Sequence, residues 1–233
     1  MPATCWSSIG GEVMRATRLD ACGAPVIGPC STVVSDGFVS IAWESEIKEG
    51  TDIEVLKANG QLCVSDKQCD ELKWINLTIS FCQVNPDLFS MLTGYETVLD
   101  YSGAGVGNRI GQEILCNGGV ALETWTKIPG QACSTTANAA RPWGYFLAPW
   151  IKSAILNSFT LENDAATFEI TARTEKGSGW GTGPYDVVAT DATNTAGPLL
   201  TPIGAKDHLH MQLTTVQPPT VDEDNCGCVP LAA

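Results

Sequence analysis

The sequence predicts a mainly β protein: a β-sandwich or barrel with one short flanking α-helix and extended terminal arms. About eight or nine strand-like segments follow one another without the alternating helices of a βαβ protein. The clearest lies within residues 74–94, where apolar and polar side chains alternate as in a strand with one buried face. The apolar members are Ile75, Leu77, Ile79 and Phe81. With 233 residues, 44% of them apolar, the chain is long enough for one large all-β domain or two small ones.

This strand leads into the strongest helix signal of the chain. Asn85 is a typical N-cap, Pro86 suits a first helical turn, and Asp87 favours the positive end of the helix dipole. Gly94 is a typical C-cap. We expect the apolar face of this helix to pack against the core, through Leu88, Phe89 and Leu92.

Along the chain, the segments differ in how regular their pattern is. Residues 1–36 have no steady period and carry three cysteines among Gly, Pro, Ser and Ala, so we predict an extended N-terminal arm. The β domain is predicted to span 37–216, with strand patterns that resume over 120–213. The tail over 217–233 is Pro-rich and acidic, and we predict that it is extended too.

A strongly acidic hairpin is predicted at the start of the β domain. It has one strand over 38–46 and a second over 51–58, and Asn59-Gly60 after it is a strong turn signal. Four of its carboxylates are candidates for a functional surface: Glu44, Glu46, Asp52 and Glu54. Such acids either form a solvated face or face an anion that must be repelled.

Composition and motifs argue against several classes of function. The net charge is −13, from 26 acidic and 13 basic residues, whereas a protein that binds nucleic acid through phosphate contacts is basic. We also expect no membrane span and no secretory signal, because no apolar run has the required length or flanks. G-x-S-x-G is absent, and the glycines over 103–111 do not give G-x-G-x-x-G. We therefore expect no enzymatic activity and no cofactor.

Histidines and cysteines near the C-terminus raise the question of a metal site. His208 and His210 share one face of a predicted strand, and Cys226 and Cys228 follow as further possible ligands. Two histidines on a strand are more often inert, and we predict no metal. The ten cysteines either pair after release into an oxidising medium or stay reduced as buried thiols.

Several short runs stand in an order that is typical of one group of proteins. They are GQLC (60–63), CDEL (69–72), INLTISF (75–81), NPDLF (85–89), LTG (92–94), ETWTK (123–127), WGYFLAP (143–149), GWGTGPY (179–185) and DHLH (207–210). Together they resemble the major tail protein, or tail tube protein, of long-tailed, non-contractile bacteriophages. The resemblance covers roughly residues 36–216 and rests on structural rather than catalytic motifs.

The resemblance implies a mostly β tube fold with one flanking helix, shared with the tube protein of type VI secretion. It implies homo-hexameric rings, stacked head-to-tail into the hollow tail of a virion that is assembled in the host cytoplasm. The tube would enclose the tape measure protein, contact tail terminator and tip proteins, and let DNA pass without binding it.

An acidic lumen would repel phosphates, so that DNA slides rather than sticks. As a hypothesis, the four hairpin carboxylates named above face this lumen. Their placement on the outer, solvated surface is the rival interpretation.

A second interpretation of the whole chain is a carbohydrate-binding or adhesive β-sandwich. Four tryptophans would then form an exposed sugar platform: Trp125, Trp143, Trp150 and Trp180. Self-assembly into rings or filaments would distinguish a tube protein from such a module.

Overall fold

A computed structural model describes residues 5–112, 114–129, 142–159, 161, 166–177, 179–184, 187–221 and 227–231. Within these residues lie fifteen β-strands and one α-helix, which confirms the prediction of a mainly β, sandwich-like fold with one helix. The elements are β1 (Ile9–Leu19), β2 (Gly28–Ser35), β3 (Phe38–Lys48), β4 (Asp52–Leu56), β5 (Leu62–Lys67), β6 (Glu71–Phe81), α1 (Pro86–Thr93), β7 (Glu96–Leu99), β8 (Gly105–Arg109), β9 (Gly119–Lys127), β10 (Trp143–Phe159), β11 (Phe168–Thr174), β12 (Val188–Ala189), β13 (Ala196–Gly197), β14 (His210–Thr214) and β15 (Val229–Leu231).

Nine of the strands form one antiparallel sheet. Its order is β15-β2-β1-β9-β10-β11-β6-β3, and β14 pairs with β10 beside this path. The long strand β10 pairs with β9 and β14 through its first half and with β11 through its second half. It bends between the halves, where the register shifts and Ser153 has a φ of 54°. The sheet therefore folds over into two layers that share β10.

The main core lies between these layers. Strand β6 contributes one buried face, as its alternation predicts, and α1 closes the core from the side. The Asn85 side chain accepts the backbone N–H groups of Asp87 and Leu88, and Gly94 ends the helix at a φ of 80°. The structure places the three predicted packing residues of the helix in this core: Leu88, Phe89 and Leu92.

A second core covers the opposite side of β1, β9 and β10. Side chains from the chain after β11, including Trp180, Val187 and Leu199, pack there against the sheet. Farther along, on β11, β6 and β3, no described part of the chain covers this side of the sheet, and its residues are half-buried or exposed.

The prediction of an extended arm over 1–36 is wrong, because β1 and β2 lie within this segment and belong to the main sheet. Met14, Ala16 and Val33 are fully buried in the main core. The alternation is hidden in the sequence because the β1–β9 register shifts twice between residues 9 and 13. Bulges of this kind change which face each residue occupies without ending the strand.

The predicted pairing of the acidic hairpin is also wrong. Strand β3 pairs with β6, not with β4, and their register runs from Phe38 opposite Phe81 to Lys48 opposite Glu71. The true hairpin is β4–β5, joined through Asn59 and Gly60, which has a φ of 79°. The turn signal at Asn59-Gly60 is the stronger of the two local connections and determines which strands form the hairpin.

The C-terminal tail predicted over 217–233 is not a free arm, because part of it belongs to the main sheet. Strand β15 pairs with β2 at one edge of the main sheet. Cys228, just before β15, forms a disulfide with Cys30 of β2.

Candidate channel and assembly surfaces

One uncovered sheet face carries a continuous set of polar side chains. It is formed by β3, β6 and β11, whose outward residues alternate with residues of the main core. We call it the polar face. The residues that share it through direct pairing are Ser40, Ala42, Glu44, Glu46, Trp74, Asn76, Thr78, Ser80, Glu169, Thr171 and Arg173. Hydroxyl and amide groups dominate its centre, so that it is a surface for water rather than for an apolar partner.

Charges of both signs border the polar face. Glu44 and Glu46 are exposed on β3, opposite Asn76 and Trp74. On the other side, the Arg173 guanidinium lies 5.3 Å from the centre of the Trp74 ring, and the Lys73 amine lies 4.1 Å from it. These cation–π contacts hold both cations against Trp74, which pairs with Glu46 across the strands. The face is therefore mixed in charge rather than uniformly acidic.

The structure separates the four predicted lumen acids into two pairs. Glu44 and Glu46 lie on the polar face, whereas Asp52 and Glu54 lie on the hairpin β4–β5 outside the main sheet. A single lumen-facing group of four carboxylates would have needed the β3–β4 pairing that the structure does not have. The two pairs therefore belong to different surfaces of the protein.

Strand β3 borders the polar face and forms one edge of the main sheet. Among the described residues it pairs only with β6, although it is eleven residues long. Its unpaired side presents a row of backbone donors and acceptors, which is the surface that pairs most readily with another strand. The opposite edge of the sheet is covered by the short strand β15.

The hairpin β4–β5 projects from the subunit with an apolar face that nothing in the described chain covers. Ile53, Val55, Leu62 and Val64 form this face, and their side chains are 41–52% exposed. The base of the hairpin is fixed, because the Gly50 N–H donates to the Asp70 carboxylate. A two-stranded hairpin is only marginally stable alone in water, and an exposed apolar face of this kind is typical of a surface that contacts a partner.

A second hairpin, β7–β8, ends in a turn that is built around an aspartate. The Asp100 carboxylate accepts the backbone N–H groups of Ser102 and Ala104 as well as the Ser102 hydroxyl. These hydrogen bonds lower the pKa of Asp100, the Ser102 hydroxyl most of all. The turn presents the fully exposed side chain of Tyr101 at its tip.

The same arrangement recurs in two other turns, at Asp20 and at Asp191. Each carboxylate accepts the N–H groups two and four residues on. Around Asp191 the hydroxyl of Thr193 adds a further bond, and these bonds lower the pKa of the aspartate. Such Asx turns hold the loops of the subunit in one conformation.

The tryptophans do not form an exposed platform. Trp125, Trp150 and Trp180 are at most 9% exposed in the second core, and Trp143 is half-buried against it. The Trp150 indole N–H donates to the carbonyl of Gly118, which fixes that ring inside the protein. A sugar ring cannot stack on these residues, so the structure contradicts this basis for a carbohydrate-binding module.

The histidines also have structural surroundings. His208 is buried, and its Nδ1 lies 2.8 Å from the Thr174 hydroxyl, which accepts the backbone N–H of Ile75. Burial lowers the pKa of His208, as does the nearby charge of Lys176. Cys228 is bonded to Cys30 and is not a free ligand, while Cys226 lies outside the described residues.

Metal-ligating side chains do not gather in groups of three or more within the part of the chain that the structure describes. In the same part, no helix has both the length and the apolar character that crossing a membrane requires.

No family model and no curated protein matches this chain. The candidate surfaces are therefore identified from the geometry of this protein alone. The sequence predicted the acids, the polar alternation of β6 and the face that Ile53 and Val55 share, but not the pairing with β5 that adds Leu62 and Val64 to this face. The signal was present in the sequence, because Ile53 and Val55 alternate with Asp52 and Glu54, and Leu62 and Val64 are separated by one residue in the same two-residue period.

Proposed function

We propose that this chain is the repeating subunit of a tail tube, as in long-tailed, non-contractile bacteriophages. Six copies form a ring, and rings stack head-to-tail into a hollow tube in the tail of the virion. The tube encloses the tape measure protein during assembly in the host cytoplasm. It meets terminator and tip proteins at its ends and later conducts DNA. The protein acts by assembly, without catalysis.

The observation that carries this proposal is the free edge of β3 beside the polar face. A neighbouring copy that pairs with this edge would satisfy its backbone groups and extend the sheet. Because β3 borders the polar face, each added copy would also extend that face. Six copies arranged in this way would close a ring with a hydrophilic wall around a water-filled channel.

The hairpin β4–β5 supports contacts in the second direction. Its apolar face, centred on Val55 and Val64, is left about half exposed by the described part of the chain. If it rests on a copy in the next ring, the contact is heterologous, and heterologous contacts that do not close produce open filaments. The subunit thus has one surface for closing rings and another for stacking them.

Imaging of the purified protein by negative-stain electron microscopy tests the proposal. Concentrated and dilute samples are imaged with and without a reductant. Annular particles or hollow tubes should appear in the concentrated sample in at least one redox condition. Val55→Glu should abolish tubes by placing a charge in the stacking surface. Leu200→Glu is the matched control, because Leu200 is 78% exposed and lies outside the hairpin.

Circular dichroism of both variants checks that the fold is kept. Monomers of the wild-type protein at every concentration, in both redox conditions, would contradict the proposal. Tubes formed equally well by the Val55→Glu variant would contradict the role of the hairpin.

A further inference from the structure

The short strand β15 covers the outer edge of β2, at the end of the main sheet opposite β3. It has three residues, and its pairing with β2 consists of Val229 opposite Thr32 and Leu231 opposite Gly28. The Thr32 hydroxyl donates to the carbonyl of Val229, and Leu231 is buried. Hydrogen bonds alone stabilise the pairing of so short a strand only weakly.

The first half of β2 depends on this cover. Strand β2 pairs with β1 only over residues 32–35, so that Gly28 to Ser31 have β15 as their strand neighbour. Within this half, Cys30 has a φ of 53°, a left-handed conformation that is unfavourable for a residue with a side chain. Some external constraint must hold Cys30 in this conformation.

That constraint is the disulfide between Cys30 and Cys228. It joins the strained residue of β2 directly to the residue before β15, across 198 positions of sequence. The Cys228 N–H also donates to the Asp87 carboxylate in the first turn of α1. Five other described cysteines have free, exposed thiols, so this bond is a selected pairing rather than part of a general cross-linking: Cys5, Cys63, Cys69, Cys82 and Cys116.

We propose that the Cys30–Cys228 disulfide is a redox lock that keeps β15 on the β2 edge and blocks this edge from a second copy of the chain. Reduction by a dithiol breaks the S–S bond. Two electrons and two protons pass to the sulfurs, giving two thiols, while the dithiol becomes a cyclic disulfide. Cys30 then relaxes, β15 leaves, and the edge of β2 becomes free.

The second copy fills the opened edge with its own β3. Strand β3 is the free edge at the other end of the same sheet, and its eleven residues exceed the eight of β2. Pairing β2 of one copy with β3 of the next extends the sheet head-to-tail, as a closed ring requires. The identity of this partner rests on the proposed function. A reducing cytoplasm keeps the lock open while copies assemble, and later oxidation closes it on unassembled chains.

Hydrogen exchange of the full-length protein tests the lock itself. In the oxidised protein the backbone N–H groups of Gly28, Cys30, Ser31 and Thr32 should be protected, and Pro29 between them has no N–H to exchange. Dithiothreitol, or the substitution Cys228→Ser, should raise their exchange rates at least about tenfold, and oxidised glutathione should restore protection in the wild type. Cys116→Ser is the control, because Cys116 is exposed and free. It should leave exchange unchanged in each redox state.

Sedimentation velocity on the same samples tests the association. Reduced wild type and the Cys228→Ser variant should form larger species, and the oxidised wild type and oxidised Cys116→Ser should remain monomeric. Equal exchange, or equal association, in the two redox states overturns the lock. Association in both states still supports the proposed function.

The remaining outcome is that reduction opens the β2 edge in the exchange experiment but neither the reduced nor the oxidised protein associates. This outcome contradicts both the proposed function and the role of the lock in assembly. Circular dichroism of the reduced wild type completes the test, because global unfolding on reduction would show a bond needed for folding rather than a lock.

Discussion

At the scale of single residues, His208 links the stability of the fold to pH. Burial and Lys176 lower its folded-state pKa, while Glu175 and Asp207 oppose this shift less strongly. The unfolded chain therefore binds a proton near pH 6.5, where the folded chain does not. The contribution of His208 to the free energy of unfolding is fully present above pH 6.5 and is lost as the pH falls through the folded-state pKa.

Urea unfolding at pH 7.5, 6.5 and 5.5 measures this dependence on His208. The free energy of unfolding should fall between the first and last pH in the wild type, and His208→Gln should reduce the fall. Met211 lies on β14, which begins two residues after His208, and its side chain is 59% exposed. The Met211→Gln variant should show the same pH dependence of the free energy of unfolding as the wild type. An equal fall in the His208→Gln variant would assign the effect to other groups.

A second residue-scale prediction concerns the fully buried carboxylate of Glu123. It accepts two hydrogen bonds from Arg15, at 2.6 and 2.7 Å, and one from the Tyr145 hydroxyl at 2.8 Å. Glu123→Ala leaves the Arg15 charge without its buried partner and should cost about 3–5 kcal/mol. The exposed pair of Glu96 and Arg109 is the control, and Glu96→Ala should cost less than about 1 kcal/mol. Equal losses in chemical denaturation would contradict this assignment.

At the scale of elements, the hairpin β4–β5 should be separable from the fold. Its strands pair only with each other, and its base is closed by the Gln68 N–H, which donates to the carbonyl of Thr51. Replacing residues 52–67 by a short Gly/Ser linker should change the Tm by no more than about 2–4 °C. The same deletion should abolish stacking into tubes. Calorimetry and electron microscopy of one sample give both readouts, and a large fall in Tm would show that the hairpin supports the fold.

The elements also differ in how far the sequence predicts them. Strand β6 and helix α1 were predicted because their signals are local: a two-residue period, then caps at Asn85 and Gly94. Strands β1 and β2 were missed because bulges and the left-handed Cys30 break their period. The partner of β3 and the Cys30–Cys228 bond depend on contacts between distant parts of the chain, which local patterns do not encode.

The grouping of the candidate site residues also depends on strand pairing, which local sequence patterns do not encode. Sequence identified each carboxylate of the predicted lumen, but strand pairing decides which of them share a surface. Because β3 pairs with β6, Glu44 and Glu46 lie on the polar face, and because β4 pairs with β5, Asp52 and Glu54 do not. The four carboxylates therefore cannot line one lumen surface together, and each pair must be tested separately.

At the scale of the whole assembly, a comparison of the two pairs tests whether the polar face lines the channel. The paired change Glu44→Lys and Glu46→Lys shifts the charge of each subunit by +4, since each substitution replaces −1 by +1. Repeated around a ring, the added lysines would bind phosphates, so tubes of this variant should retain short double-stranded DNA about tenfold more than wild-type tubes at low salt. Rising salt should remove the difference, as counterion release requires.

The control is the paired change Asp52→Lys and Glu54→Lys, which alters the charge equally but on the hairpin. If the polar face lines the channel, DNA held by the first variant is inside the tube and protected from a nuclease, whereas DNA held by the control is outside and digested. Protection in neither variant would contradict a lumen formed by the polar face. If DNA is protected only in the control variant, the hairpin rather than the polar face lines the channel. The two variants have the same net charge, so a difference in nuclease protection reports where the lysines lie.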